Sequence, residues 1–208
     1  MITVSTDRLR PSPRLVVAFG GLQQKLGGIR SEFYRSLERL DCAALFVTDP
    51  GRRWYQYEPA VIAGLLDEIR QAAARCGARR LVCIGNSMGG FGALLFGARL
   101  GADAILGFAP QTAIDPAITD ALGDRRWTEY QAMIPAYPFG DLAKEPPAAG
   151  RAIICRGEDF PLDIAHSGHL AAVWPLEVIT VPEARHDAAA RLREAGQLIP
   201  LLEEIICG

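Results

Sequence analysis

The chain has little of what marks a metalloprotein, a membrane protein or a nucleic-acid binder. Its five cysteines, Cys42, Cys76, Cys83, Cys155 and Cys207, are odd in number and widely scattered, and its three histidines do not fall in an H-x-x-x-H spacing. With C-x-x-C absent as well, the common zinc sites are excluded and no metal is expected. A disulfide frame is not expected either, so the cysteines read as reduced thiols packing as small hydrophobes in a cytoplasm. No uninterrupted apolar stretch approaches the roughly 18 residues of a membrane span. The N-terminal stretch "MITVSTDRLRPSPRLVVAFGG" has charged residues and two prolines ahead of its first apolar run, unlike the basic, apolar and small-residue order of a secretory leader. The formal net charge is -2 with no run of lysine or arginine, which gives no electrostatic reason to expect nucleic acid or an anionic membrane as partner. What is present, 208 residues that are half apolar and 22% charged, predicts one soluble globular domain over 1–208. Small neutral substrates remain open.

Short apolar runs alternate with longer helix-like segments. "RLVVAFGG" (14–21), "AALFVT" (43–48), "RLVCIG" (80–85), "DAILGFA" (103–109), "RAIICR" (151–156) and "LEVITV" (176–181) read as strands covered on both faces. "EPAVIAGLLDEIRQAAARCG" (58–77) carries apolar residues at helical spacing and closes on glycine. "MGGFGALLFGARLG" and "DAAARLREAGQLIPLLEEIICG" read as helices, the second broken or kinked near Pro200. Repeated strand and helix predict an α/β protein: a mainly parallel central sheet with helices on both faces, since parallel neighbours need crossover connections. The one departure is 110–150, rich in proline and without strand pattern, which reads as a short lid or as a connector.

At the junction of strand 80–85 with the next helix stands Gly85-Asn86-Ser87-Met88-Gly89, a G-x-S-x-G followed by Gly90. Aiming a hydroxyl outward from such a junction needs a sharp turn with crowded neighbours, and glycine supplies the missing side-chain volume. The pattern predicts a nucleophile elbow at Ser87. The first amides of the helix, Met88 N–H among them, are expected to face charge developing above the serine. A phosphate-binding loop is disfavoured, because "GNSMGG" lacks the G-K-[ST] ending and the G-x-G-x-x-G spacing.

A serine hydroxyl needs a base. His186 lies just beyond the last predicted strand and before the last helix, in the order serine, acid, histidine. His166 and His169 fall in the helix-like "LDIAHSGHLAAVW" (162–174), where surface or capping roles are expected. The acid should follow strand 151–156, where Glu158, Asp159 and Asp163 stand; spacing favours Asp159, while Asp163 reads as a helix cap. Asp187 is too close in sequence to His186 to be preferred. A second oxyanion donor is expected from the amide of Gly21 or Leu22 at the end of the first strand, with a plain glycine turn as the competing reading.

With strand, elbow, acid loop and terminal histidine in this order, the chain resembles the α/β-hydrolase superfamily over nearly its whole length. The likeness is most specific in "GNSMGGFGALLFGA" and "ARHDAAARLREAGQLIPLL". More narrowly, "FVTDPGRRWYQ", "SMGGFGALLFG", "GFAPQT" and "PLDIAH" are similar to a group of small bacterial serine-hydrolase-like proteins, several attached to glycan or cell-surface gene products. On that resemblance the acid is Asp163, in a D-x-x-H stretch with His166, and Asp159 becomes the alternate. The resemblance implies a compact fold with little or no cap and an esterase or thioesterase acting through an acyl-enzyme on Ser87, with no cofactor. Acyl transfer to a glycan or small-molecule acceptor, and a non-catalytic binding role, are the alternatives. Two features depart from the family: the usual His-Gly of the first oxyanion loop is Phe19-Gly20-Gly21, and 110–150 is too short for a large cap. Trp54 and Tyr55, after strand 43–48 on the same edge as Ser87, are expected either to wall the acyl pocket or to pack beneath a loop.

Overall fold

The structure, a computed structural model, describes residues 2–22 and 31–208. The first glycine turn can therefore be followed only as far as Leu22.

Seven strands form one sheet: β1 (Thr3–Arg8), β2 (Arg14–Phe19), β3 (Ala43–Thr48), β4 (Arg80–Asn86), β5 (Ala104–Phe108), β6 (Arg151–Gly157) and β7 (Leu176–Val181). Their order is β1-β3-β2-β4-β5-β6-β7, with β1 antiparallel to β3 and every other pairing parallel. The six strands read from apolar runs are all present. The edge strand β1 was not foreseen, because "TVSTDR" is polar and packs against a single neighbour, leaving no buried run to recognise.

The helices are α1 (Tyr34–Leu37), α2 (Pro59–Cys76), α3 (Met88–Leu100), α4 (Pro116–Ala121), α5 (Thr128–Gln131), α6 (Pro161–Ala171), α7 (Ala188–Glu194) and α8 (Leu198–Cys207). Alternate residues of each strand point to opposite faces. Leu15, Val17 and Phe19 join Leu45, Cys83, Ile105 and Ile154 in a core with Ile69 of α2, Leu94 of α3 and Leu170 of α6. Val16, Ala18, Phe46, Ile84 and Leu106 form the opposite core with Leu37 of α1, Leu192 of α7 and Leu202 of α8.

The final helical segment breaks at Gly196, whose φ of 72° ends α7, and not at Pro200. Pro200 sits in the first turn of α8, where the missing N–H has no intrahelical acceptor to lose. The 110–150 segment holds α4, α5 and a 3-10 turn at Leu142–Lys144. Among the described residues no helix is long and apolar enough to cross a membrane. Four of the cysteines are buried and all five are free; burial pushes the Cys42 thiol up to about 11 and the Cys155 thiol up to about 12.

Register brings the strand ends level. Phe19 pairs with Gly85, Gly85 with Gly107, and Gly157 with Val181, so the loops leaving β2, β4, β5, β6 and β7 emerge along one edge. In parallel sheets that carboxyl edge is where ligands bind.

Candidate active site

Ser87 occupies the turn between β4 and α3 with φ 54° and ψ -117°, a strained conformation for a residue with a side chain. Two glycines make the turn possible. A Cβ at Gly85 would run into the backbone of Gly89, and one at Gly89 into the carbonyl of Phe19. Ser87 N–H donates to the Phe108 carbonyl at 2.8 Å, tying the turn to β5. Met88 opens α3, so its amide is among those a helix leaves without an intrahelical acceptor.

The three side chains expected to work together meet. Ser87 Oγ lies 3.0 Å from His186 Nε2, and His186 Nδ1 lies 3.0 Å from both carboxylate oxygens of Asp163. These partners assign the tautomer: Nδ1–H donates to Asp163, leaving Nε2 to accept from the serine hydroxyl. Asp163 sits in the first turn of α6 and is 2% exposed, whereas Asp159 and Glu158 are exposed on the preceding loop. The imidazole thus pairs with Asp163 and not with Asp159.

Behind this line lies a polar cluster that sequence reasoning missed. Arg126, from the 110–150 segment, places Nη1 3.5 Å from Asp163 Oδ1 and 3.4 Å from His186 Nδ1. Its other nitrogens donate to Asp124, Nη2 to Oδ2 at 2.6 Å and Nε to Oδ1 at 3.0 Å, and its guanidinium lies over Phe160 at 5.3 Å. Asp124 also pairs with His166 Nε2 at 3.0 Å. His166 Nδ1 accepts from Thr112 N–H, so Nε2–H is the donor to Asp124. His166 is fully buried, which corrects the expected surface or capping role, and His169 is paired with Asp141 at 2.8 Å. Burial by itself would raise the Asp124 carboxyl; hydrogen bonds from His166 and Arg126 outweigh it and hold the group well below the usual carboxylate range.

Gln111, after β5, was also missed. Trp54 Nε1 donates to Gln111 Oε1 at 3.0 Å, and with the Ser87 hydroxyl directed at His186 Nε2, Gln111 Nε2 is the donor to Ser87 Oγ at 3.3 Å. Its sequence signal was only a polar residue following an apolar strand. Trp54 and Tyr55 are fully buried and do not wall the cleft. They act one layer below, Trp54 through Gln111, and Tyr55 by donating its hydroxyl to the Gly20 carbonyl at 3.0 Å. Both have positive φ, held by the buried Asp49 carboxylate, which accepts from the amides of Arg53 and Tyr55 and from the Tyr57 hydroxyl. The aromatic walls of the cleft, about 630 Å³, are instead Phe33 and Trp127, with Leu22 and Leu198 as aliphatic neighbours.

The Gly21 amide, one of two expected oxyanion donors, is already engaged: it donates to Glu32 Oε2 at 2.8 Å. Asn86 Nδ2 lies 3.4 Å from the other Glu32 oxygen. Burial pushes the Glu32 carboxyl up from its ordinary value, and these two donors only partly offset it. Leu22 lines the cleft with Ser87 and Glu32.

No protein-family model matches the chain, and no curated protein does. Solved structures do. A glycosylation-associated protein complex (Gap123) from Streptococcus agalactiae aligns with a TM-score of 0.67 at 16% identity over 100% of this chain, which spans only 44% of that chain. The capsule O-acetyltransferase of Neisseria meningitidis serogroup A gives 0.67 at 17% identity, over 91% of this chain and 88% of that one. Esterase LipW from Mycobacterium marinum gives 0.66 at 20% identity, over 98% and 74%. The chain has the α/β-hydrolase fold. At these identities the likeness speaks to fold, and the chemistry of this α/β-hydrolase-fold protein has to be argued from its own residues.

Proposed function

We propose that this protein is a serine hydrolase that cleaves a carboxylic ester or thioester, with residues 1–208 forming one catalytic domain. The observation that carries the reading is the unbroken line from Ser87 Oγ through His186 to Asp163, with 3.0 Å at each step. His186 Nε2 takes the hydroxyl proton as Ser87 Oγ attacks the acyl carbonyl. Asp163 holds the Nδ1–H tautomer and stabilises the imidazolium that forms. Met88 N–H and the Leu22 amide hold the oxyanion, Gly21 being committed to Glu32. His186 then returns the proton to the departing alcohol or thiol, and water releases the acyl group by the same route. No step calls for a cofactor. Arg126 acts as a positioning residue, restraining Asp163 where it meets His186, which makes 110–150 part of the apparatus and more than a connector. The free, buried thiols favour a reducing cytoplasm.

The test is a fluorophosphonate probe together with p-nitrophenyl acetate hydrolysis. The folded protein is expected to label at Ser87, and Ser87→Ala to lower turnover by about 10⁶-fold. A folded protein that neither labels nor hydrolyses is a binding protein on this fold.

One observation favours a second reading, acyl transfer with the same residues: the likeness to a structure named as a capsule O-acetyltransferase. Supplying a sugar acceptor and comparing acylated sugar with free acid separates transfer from hydrolysis.

A further inference from the structure

Six of the twelve exposed arginines among the described residues are matched by carboxylates, Arg99 by Glu145 and Arg125 by Asp120 among them. Arg10 pairs with Asp41, Arg70 with Asp67, Arg151 with Glu177 and Glu204, and Arg191 with Asp187. Six have no such partner among the described residues, Arg35, Arg39, Arg75, Arg79, Arg185 and Arg193, and of these Arg35, Arg39 and Arg193 stand together. All three line one cavity of about 550 Å³, between the α1 region and the turn joining α7 to α8. No described carboxylate lines it; its other walls are Ser36, Gly196 and the apolar start of α8. Ser36, Arg193 and Leu198 also line the Ser87 cleft, so the two cavities are contiguous.

Three guanidinium groups around one concavity with no described carboxylate in its lining give that concavity a single charge sign. A polyanion is the counter-charge that such a groove lacks. A groove of one charge sign also concentrates counter-charged ligands. Guanidinium presents forked donors that fit phosphate oxygens, while a neutral or cationic ligand gains nothing from them.

We propose that this groove binds the phosphate-bearing portion of the substrate whose acyl carbonyl lies at Ser87. The assignment rests on the hydrolase reading for the position of the carbonyl. The phosphate is carried either by the leaving group, as in a phosphorylated thioester, or by an acylated sugar phosphate.

The first test does not depend on turnover. Inorganic pyrophosphate is titrated calorimetrically at low ionic strength into the wild-type protein and into the triple variant Arg35→Gln, Arg39→Gln, Arg193→Gln. The three side chains are exposed, and thermal melting checks that the variant stays folded. Affinity is expected to fall about tenfold in the variant, and in the wild type at higher salt. Equal affinity in the two proteins, or no binding to either, overturns the proposal. The second test compares kcat/KM within two pairs: acetyl-CoA against S-acetyl-N-acetylcysteamine, and 6-O-acetylglucose 1-phosphate against 6-O-acetylglucose. The phosphorylated member of one pair is expected to react faster, the pair identifying which group carries the phosphate, and its advantage is expected to drop in the triple variant. A ratio near one in both pairs overturns the proposal. Failure to cleave any of the four counts against the hydrolase reading, and the titration then decides the groove alone.

Discussion

The elbow at residues 85–90 and the 110–150 segment both reach the Ser87 cleft, and they are built by opposite means. The elbow is made by removing side chains: Gly85 and Gly89 let β4, α3 and the end of β2 approach so closely that Ser87 is forced into its strained turn. The 110–150 segment works by adding polar partners. Gln111 reaches Ser87, Asp124 reaches His166 and Arg126 reaches Asp163, each from far along the chain. Steric exclusion acts between near neighbours, whereas charge pairing links residues that only the fold brings together. The two regions should therefore respond differently to substitution.

The sharpest contrast lies at the acid. Asp163→Asn is expected to lower kcat for p-nitrophenyl acetate about 10⁴-fold by destabilising the working His186 tautomer. Asp159→Asn, on the exposed loop, should leave the rate within about twofold. Equal effects would remove the distinction that burial draws between them.

Asp124→Asn tests whether 110–150 is structural as well as functional. Breaking a buried charged cluster by one partner costs about 3–5 kcal/mol, read from urea unfolding at pH 7. Because the folded Asp124 carboxyl is held below its ordinary value of 3.8, its contribution is fully present at neutral pH and is lost as pH falls below that value. The gap between variant and wild type should accordingly narrow in acid. A constant gap would point to packing in place of charge.

Six of the seven strands and the elbow were legible because each is written locally, whereas the polar edge strand β1 left no such run. Buried strands appear as continuous apolar runs, and G-x-S-x-G states its steric demand within five residues. The choice between Asp159 and Asp163 was not legible from spacing, since it depends on which carboxylate the start of α6 buries beneath His186. Nor could Trp54 and Tyr55 be placed: an aromatic pair after a strand looks the same facing a cleft or lying under it.

Gly89→Ala addresses the elbow directly. Forcing a methyl against the Phe19 carbonyl should cost about 1–3 kcal/mol and abolish fluorophosphonate labelling of Ser87 even where the protein stays folded. Retained labelling would mean that the turn is held by something other than close backbone contact. Arg126→Met should lower kcat about tenfold with KM little changed, because a small displacement of the acid misaligns the imidazole; Arg126→Lys should recover part of the loss. A KM effect without a kcat effect would make Arg126 a substrate contact. The smallest change is expected for Trp54→Phe, which keeps the ring in the core but removes the hydrogen bond to Gln111, at about 1 kcal/mol in thermal or urea unfolding.

By itself the sequence determined the α/β layering and the bend at Ser87, because apolar periodicity and missing side-chain volume act over a few neighbouring residues. Tertiary structure decided that Arg126 and Gln111 attend the site and that Trp54 and Tyr55 lie beneath it, and it seats at His186 the carboxylate that spacing did not choose and the resemblance did. Those outcomes depend on burial and charge pairing between segments tens of residues apart, and such distances are set only when the sheet brings its strand ends level.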